Sequence, residues 1–241
     1  MSKKIFKPLA VGLILLFIGL AFQPAVSTNE LIKDEIKPNK YLFDTVIEII
    51  NNPKIKNLFS QINQKEIIYS NNFKASLIKT LIKKPVLLAS MIFNRPMITN
   101  NYLISTYYKG INTINVLGED KSNEIINLLK SQKSNVINDL TNIISENEEL
   151  NEKILKLQNI NREITPDGSF ASNPIICTIF TSLTVFCVVA ALFIKDIASM
   201  IPDGSQLYSI LLSMVSPFID IALIFASVAS VFGCWDDWPG V

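Results

Sequence analysis

The chain has 241 residues, of which 49% are apolar and 18% charged, with 22 Lys and Arg against 21 Asp and Glu. Globular chains carry roughly a quarter charged residues, so this one, with a mean hydropathy of +0.34, is too apolar for disorder and too neutral for a nucleic-acid binder. It contains no histidine, which excludes an imidazole general base, His-ligated zinc and His-ligated haem, and the composition points to membrane.

Lys3, Lys4 and Lys7 form a basic head, Leu9 to Phe22 is an uncharged apolar run, and Gln23-Pro24 precedes the small triplet Ala25-Val26-Ser27. This is the order of a secretory signal peptide over residues 1–27, with Ala25 and Ser27 placed for a cut between Ser27 and Thr28. A spanning helix needs about 20 apolar residues, so the short run favours cleavage over a retained anchor. Either outcome puts the next segment outside the cytoplasm. The stretch FIGLAFQPAVS, and the Ile-, Lys- and Asn-rich middle behind it, resemble uncharacterised archaeal envelope proteins. The resemblance is confined to the leader; it implies secretion and carries no functional residue across.

From Thr28 to Asn173 glycine occurs only at Gly110, Gly118 and Gly168, which suits helices better than hairpins. An all-α extracytoplasmic domain is expected over residues 28–173. Tyr41 to Ile50 is predicted as one helix. Asn52-Pro53 then supplies a cap and a proline at the first helical position, and Ile55, Leu58, Phe59 and Ile62 follow at helical spacing. Phe73, Leu77, Ile78, Leu81 and Ile82 repeat that spacing up to Pro85, and Val86 to Phe93 forms a further short helix before Pro96. From Ile98 to Leu117 the expected apolar face is Ile104, Tyr107, Tyr108, Ile111 and Ile114, with Gly118 as a left-handed stop.

Beyond Gly118 a 4,3 spacing runs through Ile126, Leu129, Lys133, Val136, Leu140, Ile143, Asn147, Leu150, Ile154, Leu157, Asn161 and Ile164. It reads either as a dimerising stalk, with Asn147 and Asn161 setting register, or as two helices of one bundle broken near Ser145, where Ser145 and Glu148 make a capping-box pattern. Glu149 with Lys153 and Glu152 with Lys156 stand four residues apart in the favourable order and mark a solvated face. Charge is uneven: Thr28 to Gly118 holds 12 Lys and Arg against 6 Asp and Glu, and Glu119 to Asn173 holds 6 against 10. The basic half either leans on anionic lipid or an acidic partner, or the two halves attract each other.

Residues 174–241 are expected to form a transmembrane hairpin with a short tail. Ile175 to Ile194 is uncharged, is opened by Pro174 and closed by Lys195-Asp196, and is long enough for a hydrocarbon core of about 30 Å. Leu207 to Cys234 is a second apolar segment, interrupted by Pro217 and Asp220 and ended by Trp235 and Trp238. PDGS occurs at 166–169 and 202–205, turn chemistry ahead of each segment. Ala222, Ala226 and Ser230, and likewise Ser209 and Ser213, recur every fourth residue and suit close helix approach.

Asp220 lies near the middle of the second segment, where a carboxylate must face protein or water or be protonated. It either forms an ion or proton site with Ser213, Ser216, Thr181 and Thr184, or satisfies backbone donors around Ser216-Pro217. In an antiparallel hairpin Cys177 and Cys234 share a level, which makes a disulfide possible outside the cytoplasm, with Cys187 as a buried thiol. No cofactor or metal ligand set is apparent. The reading is a non-enzymatic, membrane-anchored envelope protein with residues 28–173 on the extracytoplasmic side. Its partners would be the lipid bilayer and another envelope protein, or a second copy through the heptad seam, with no nucleic acid. The alternative is a small channel, transporter subunit or pore-forming protein built on Asp220. An enzyme would lack a histidine, a phosphate loop, a GxSxG elbow and a carboxylate pair.

Overall fold

The computed structural model describes residues 40–61, 69–92, 99–162 and 174–235. The leader with its Ser27–Thr28 cleavage point, the first PDGS, Ile164 and Trp238 lie outside them. Among the described residues all regular structure is α-helical, in nine helices: α1 Lys40–Asn51, α2 Pro53–Gln61, α3 Asn71–Leu81, α4 Pro85–Ile92, α5 Asn100–Leu117, α6 Glu119–Glu146, α7 Glu148–Arg162, α8 Pro174–Ser199 and α9 Gln206–Val231.

The helix starts follow from local chemistry. Asn52 Oδ1 accepts from the Lys54 amide at 2.9 Å with Pro53 opening α2, and Ser70 and Thr99 cap α3 and α5 through the Phe73 and Tyr102 amides. In the second PDGS, Gly204 takes φ +84° and Ser205 accepts from the Tyr208 amide at 3.2 Å, so one turn both stops the chain and caps α9. Gly118, also at φ +84°, separates α5 from α6.

The 4,3 pattern resolves into two helices. Asn147 leaves the helical region at φ −84°, ψ 106°, and its Oδ1 accepts from the Leu150 amide at 3.0 Å, so Asn147 rather than Ser145 caps α7. On α6 the buried positions are Ser122, Ile125, Ile126, Leu129, Lys133, Ile137, Leu140 and Ile144; from Ile126 on they follow a 3.6-residue period rather than 3.5, with a non-helical Lys133 where the stripe departs from Val136 and Ile143. That is the stripe of a helix on a globular core. Leu150, Ile154 and Leu157 of α7 are buried in the same core.

α8 is the centre of the bundle. It packs antiparallel to α9 over most of its length and is flanked by α5, α6 and α4. The α5 face that turns inward shares only Tyr107 with the expected apolar face. Leu103, Thr106, Tyr107, Gly110, Thr113 and Leu117 are buried, whereas Ile104, Tyr108, Ile111 and Ile114 are only partly covered. The reason is close approach: a Cβ at Gly110 would lie 2.2 Å from the Ser182 carbonyl oxygen, so only glycine fits against α8 at this level. α1 is tied to α5 by Asn100 Nδ2 donating to Asp44 at 2.5 Å, and to α7 by Lys153, which pairs with Glu48 and with Glu149.

Candidate functional site

The two apolar helices form a hairpin, and each is long and apolar enough to cross a membrane. They differ in cover. In α8, 94% of the apolar window is buried within the protein, against 44% in α9. The uncovered part lies at the tip and the first half of α9: Met200, Leu207, Ile210 and Leu212 are 66, 42, 45 and 37% exposed. The second half of α9, from Ile221 to Ala229, is buried.

At the far end from this tip, Cys177 and Cys234 are joined by a disulfide with Cα atoms 5.1 Å apart, and Cys187 is a free, buried thiol. Phe180 stacks on Phe232 and packs against Phe225, and Phe186 meets Phe218 edge-on, so aromatic rings fill the hairpin seam. Ala222 and Ala226 are fully buried in the same region, whereas Ser209 and Ser213 are exposed. Trp235 is buried, donates from Nε1 to Thr181 Oγ1 at 3.5 Å, and lies under the Lys130 ammonium at 5.6 Å.

α9 runs through Pro217 without a break. Ser216 Oγ donates to Asp220 Oδ2 at 3.3 Å, and the charge of Lys133, a residue only 6% exposed, acts on the same carboxylate. Ser213 Oγ instead donates to the Ile210 carbonyl at 2.7 Å. Thr181 is engaged by Trp235, and the Thr184 hydroxyl is buried with no hydrogen-bond partner. Of the five polar residues picked out in the sequence, the structure thus joins Ser216 to Asp220 and gives the other three different surroundings.

Two buried charges stand outside that set. Asp196, which closes the apolar run in the sequence, is one turn inside α8 and 3% exposed; it pairs with Lys74 at 2.6 Å and accepts from the Tyr69 hydroxyl at 2.7 Å. This contact ties the tip of the hairpin to α3 and the segment before it. Its signal in the sequence was slight, since a charge at a helix end reads as solvated. Lys133 fell on the heptad seam, where a lysine reads as a polar interruption rather than a partner for Asp220. Among the described residues no cluster of His, Cys, Asp and Glu could hold a metal ion.

No protein-family model matches the chain, and no curated protein and no solved structure matches it.

Proposed function

We propose that this is an exported, non-enzymatic membrane protein that engages lipid through the tip of its α8–α9 hairpin and the bare first half of α9, while the helices of residues 28–173, which cover α8, remain on the extracytoplasmic side and make its contacts with other proteins or the membrane surface. The observation that carries this reading is the unequal cover of two equally apolar helices, 94% against 44%. A helix as apolar as the first half of α9 leaves Leu207, Ile210 and Leu212 in water at a free-energy cost that burial in lipid removes, on the order of 1.5–3 kcal/mol per fully buried side chain. The disulfide and the aromatic seam hold the hairpin together as one unit at its other end.

The test is flotation of the full chain with liposomes, followed by alkaline and high-salt extraction. The protein should float and should need detergent for release. The triple variant Leu207→Glu, Ile210→Glu, Leu212→Glu should lose flotation at least tenfold with an unchanged helical circular dichroism spectrum. Quantitative release of the natural chain by alkaline wash overturns the reading.

A second reading, a channel or pore-forming protein, draws on the Lys133–Asp220–Ser216 cluster where α6 packs on the hairpin. Ion flux in liposomes that disappears in Asp220→Asn supports it, and flux that is absent or unchanged in that variant removes it.

A further inference from the structure

On the flank of the bundle, α3, α4, α5 and the first turn of α6 enclose an open cleft of about 1150 Å³. Lys79, Lys83, Lys84, Lys109 and Lys121 line it, and no acidic side chain does. Much of the excess positive charge of residues 28–118 is gathered here. Among the described residues none of these five is in an ion pair with a carboxylate. Lys109 is the deepest, half-buried on α5, and loss of water pushes its ammonium below the usual lysine range.

Among the other side chains of the cleft, Asn112 and Asn115 offer amide donors as well as acceptors, and Thr80 and Ser90 are already engaged. Lys121 Nζ donates to Thr80 Oγ1 at 2.8 Å, and Thr80 Oγ1 donates in turn to the Ser76 carbonyl at 2.9 Å. Ser90 Oγ donates to the Leu87 carbonyl at 2.7 Å. The first turn of α4 opens into the same space: Pro85, Val86 and Leu87 line it, and the first hydrogen bond of the helix runs from the Leu88 amide to the Lys84 carbonyl. The Val86 and Leu87 amides precede that bond, so they are without intrahelical partners, and the positive end of the helix dipole adds to the lysine field.

Five like charges around one cavity repel each other unless an anion neutralises them, and several of them spread through a cleft of this size exceed what one planar carboxylate can meet. There is no arginine fork for a bidentate carboxylate; lysines are point charges of the kind that hold phosphate. We propose that the cleft between α3, α4, α5 and α6 binds a compact anion carrying two or more phosphate groups, held by Lys79, Lys83, Lys109 and Lys121. The source is either a free polyphosphate or an anionic phospholipid headgroup. For the second, Val86 and its neighbour Ile82, 76 and 58% exposed, offer apolar surface beside the cations. The proposal is independent of whether the hairpin enters lipid.

The test is titration calorimetry of the full chain with inorganic tripolyphosphate at low salt. The natural chain should bind, and the variant Lys79→Gln, Lys83→Gln, Lys109→Gln should bind at least tenfold more weakly with the same thermal midpoint within a few degrees. The control Lys54→Gln, Lys56→Gln, which removes two exposed charges from α2, should bind like the natural chain. Absence of tripolyphosphate binding, or an equal loss in the control, overturns the proposal. A second arm separates the sources: if vesicles containing the bisphosphate lipid cardiolipin, but not phosphatidylcholine vesicles, abolish the tripolyphosphate titration, the cleft takes the headgroup, and if the titration is the same with either, it takes a soluble anion.

Discussion

Gly110 and Asp196 decide how closely the helices of residues 28–173 hold the apolar hairpin. At Gly110 two effects oppose each other: alanine is the better helix former by about 1 kcal/mol, but its Cβ would sit 2.2 Å from the Ser182 carbonyl oxygen, a backbone atom that cannot swing aside. Overpacking wins, and Gly110→Ala should lower unfolding free energy by about 2 kcal/mol in urea titration. A more stable variant would mean that α5 and α8 are not in contact there. Lys74→Met strands the Asp196 carboxylate, which keeps the Tyr69 hydroxyl on Oδ1 and has no partner on Oδ2. A fully buried pair broken this way costs about 3–5 kcal/mol; with the Lys74 side chain 33% exposed, about 2 kcal/mol is expected, and Asp196→Asn added to Lys74→Met should recover part of it.

At the level of single helices, caps and stripes were open to different degrees of reading. The stops at Asn52-Pro53, Gly118 and the second PDGS were legible because each rests on residues a few positions apart. The α6–α7 break falls at Asn147, two residues beyond Ser145, since both are competent caps and only the bend of the chain selects between them. Asn147→Ala should cost about 1 kcal/mol by thermal or chemical unfolding, and Ser145→Ala much less. The buried face of α5 was legible only at Tyr107. Periodicity marks the large side chains Ile104, Ile111 and Ile114, yet close contact with α8 requires Gly110.

For the whole molecule the consequence is a division of labour between seams. The α8–α9 seam has aromatic rings and a covalent bridge; the α5–α8 seam has a glycine against the Ser182 backbone, and the buried Ser182 hydroxyl has no hydrogen-bond partner. Unsatisfied buried hydroxyls weaken a contact by about 1–3 kcal/mol each, so the hairpin should outlast its flanking helices under mild denaturation. Hydrogen exchange should show α5 amides opening before those of α8 and the second half of α9. The bridge spans 57 residues, and in the loop-entropy account its removal in Cys177→Ser, Cys234→Ser costs about 4 kcal/mol, read as a thermal midpoint lower by roughly 10 °C.

The residue order alone determined that this chain is helical, where its turns fall, and that its last third carries two membrane-length apolar helices, because capping, proline and glycine chemistry and apolar run length act over a few residues. Tertiary packing decided which of those helices is sheathed and which is bare, that Asp196 and Lys133 are buried charges, and that lysines from α3, the α3–α4 connection, α5 and α6 share one cleft. Those outcomes depend on distances between segments as far apart as 127 residues, as in the Tyr69–Asp196 bond, and periodicity within one helix holds no record of them.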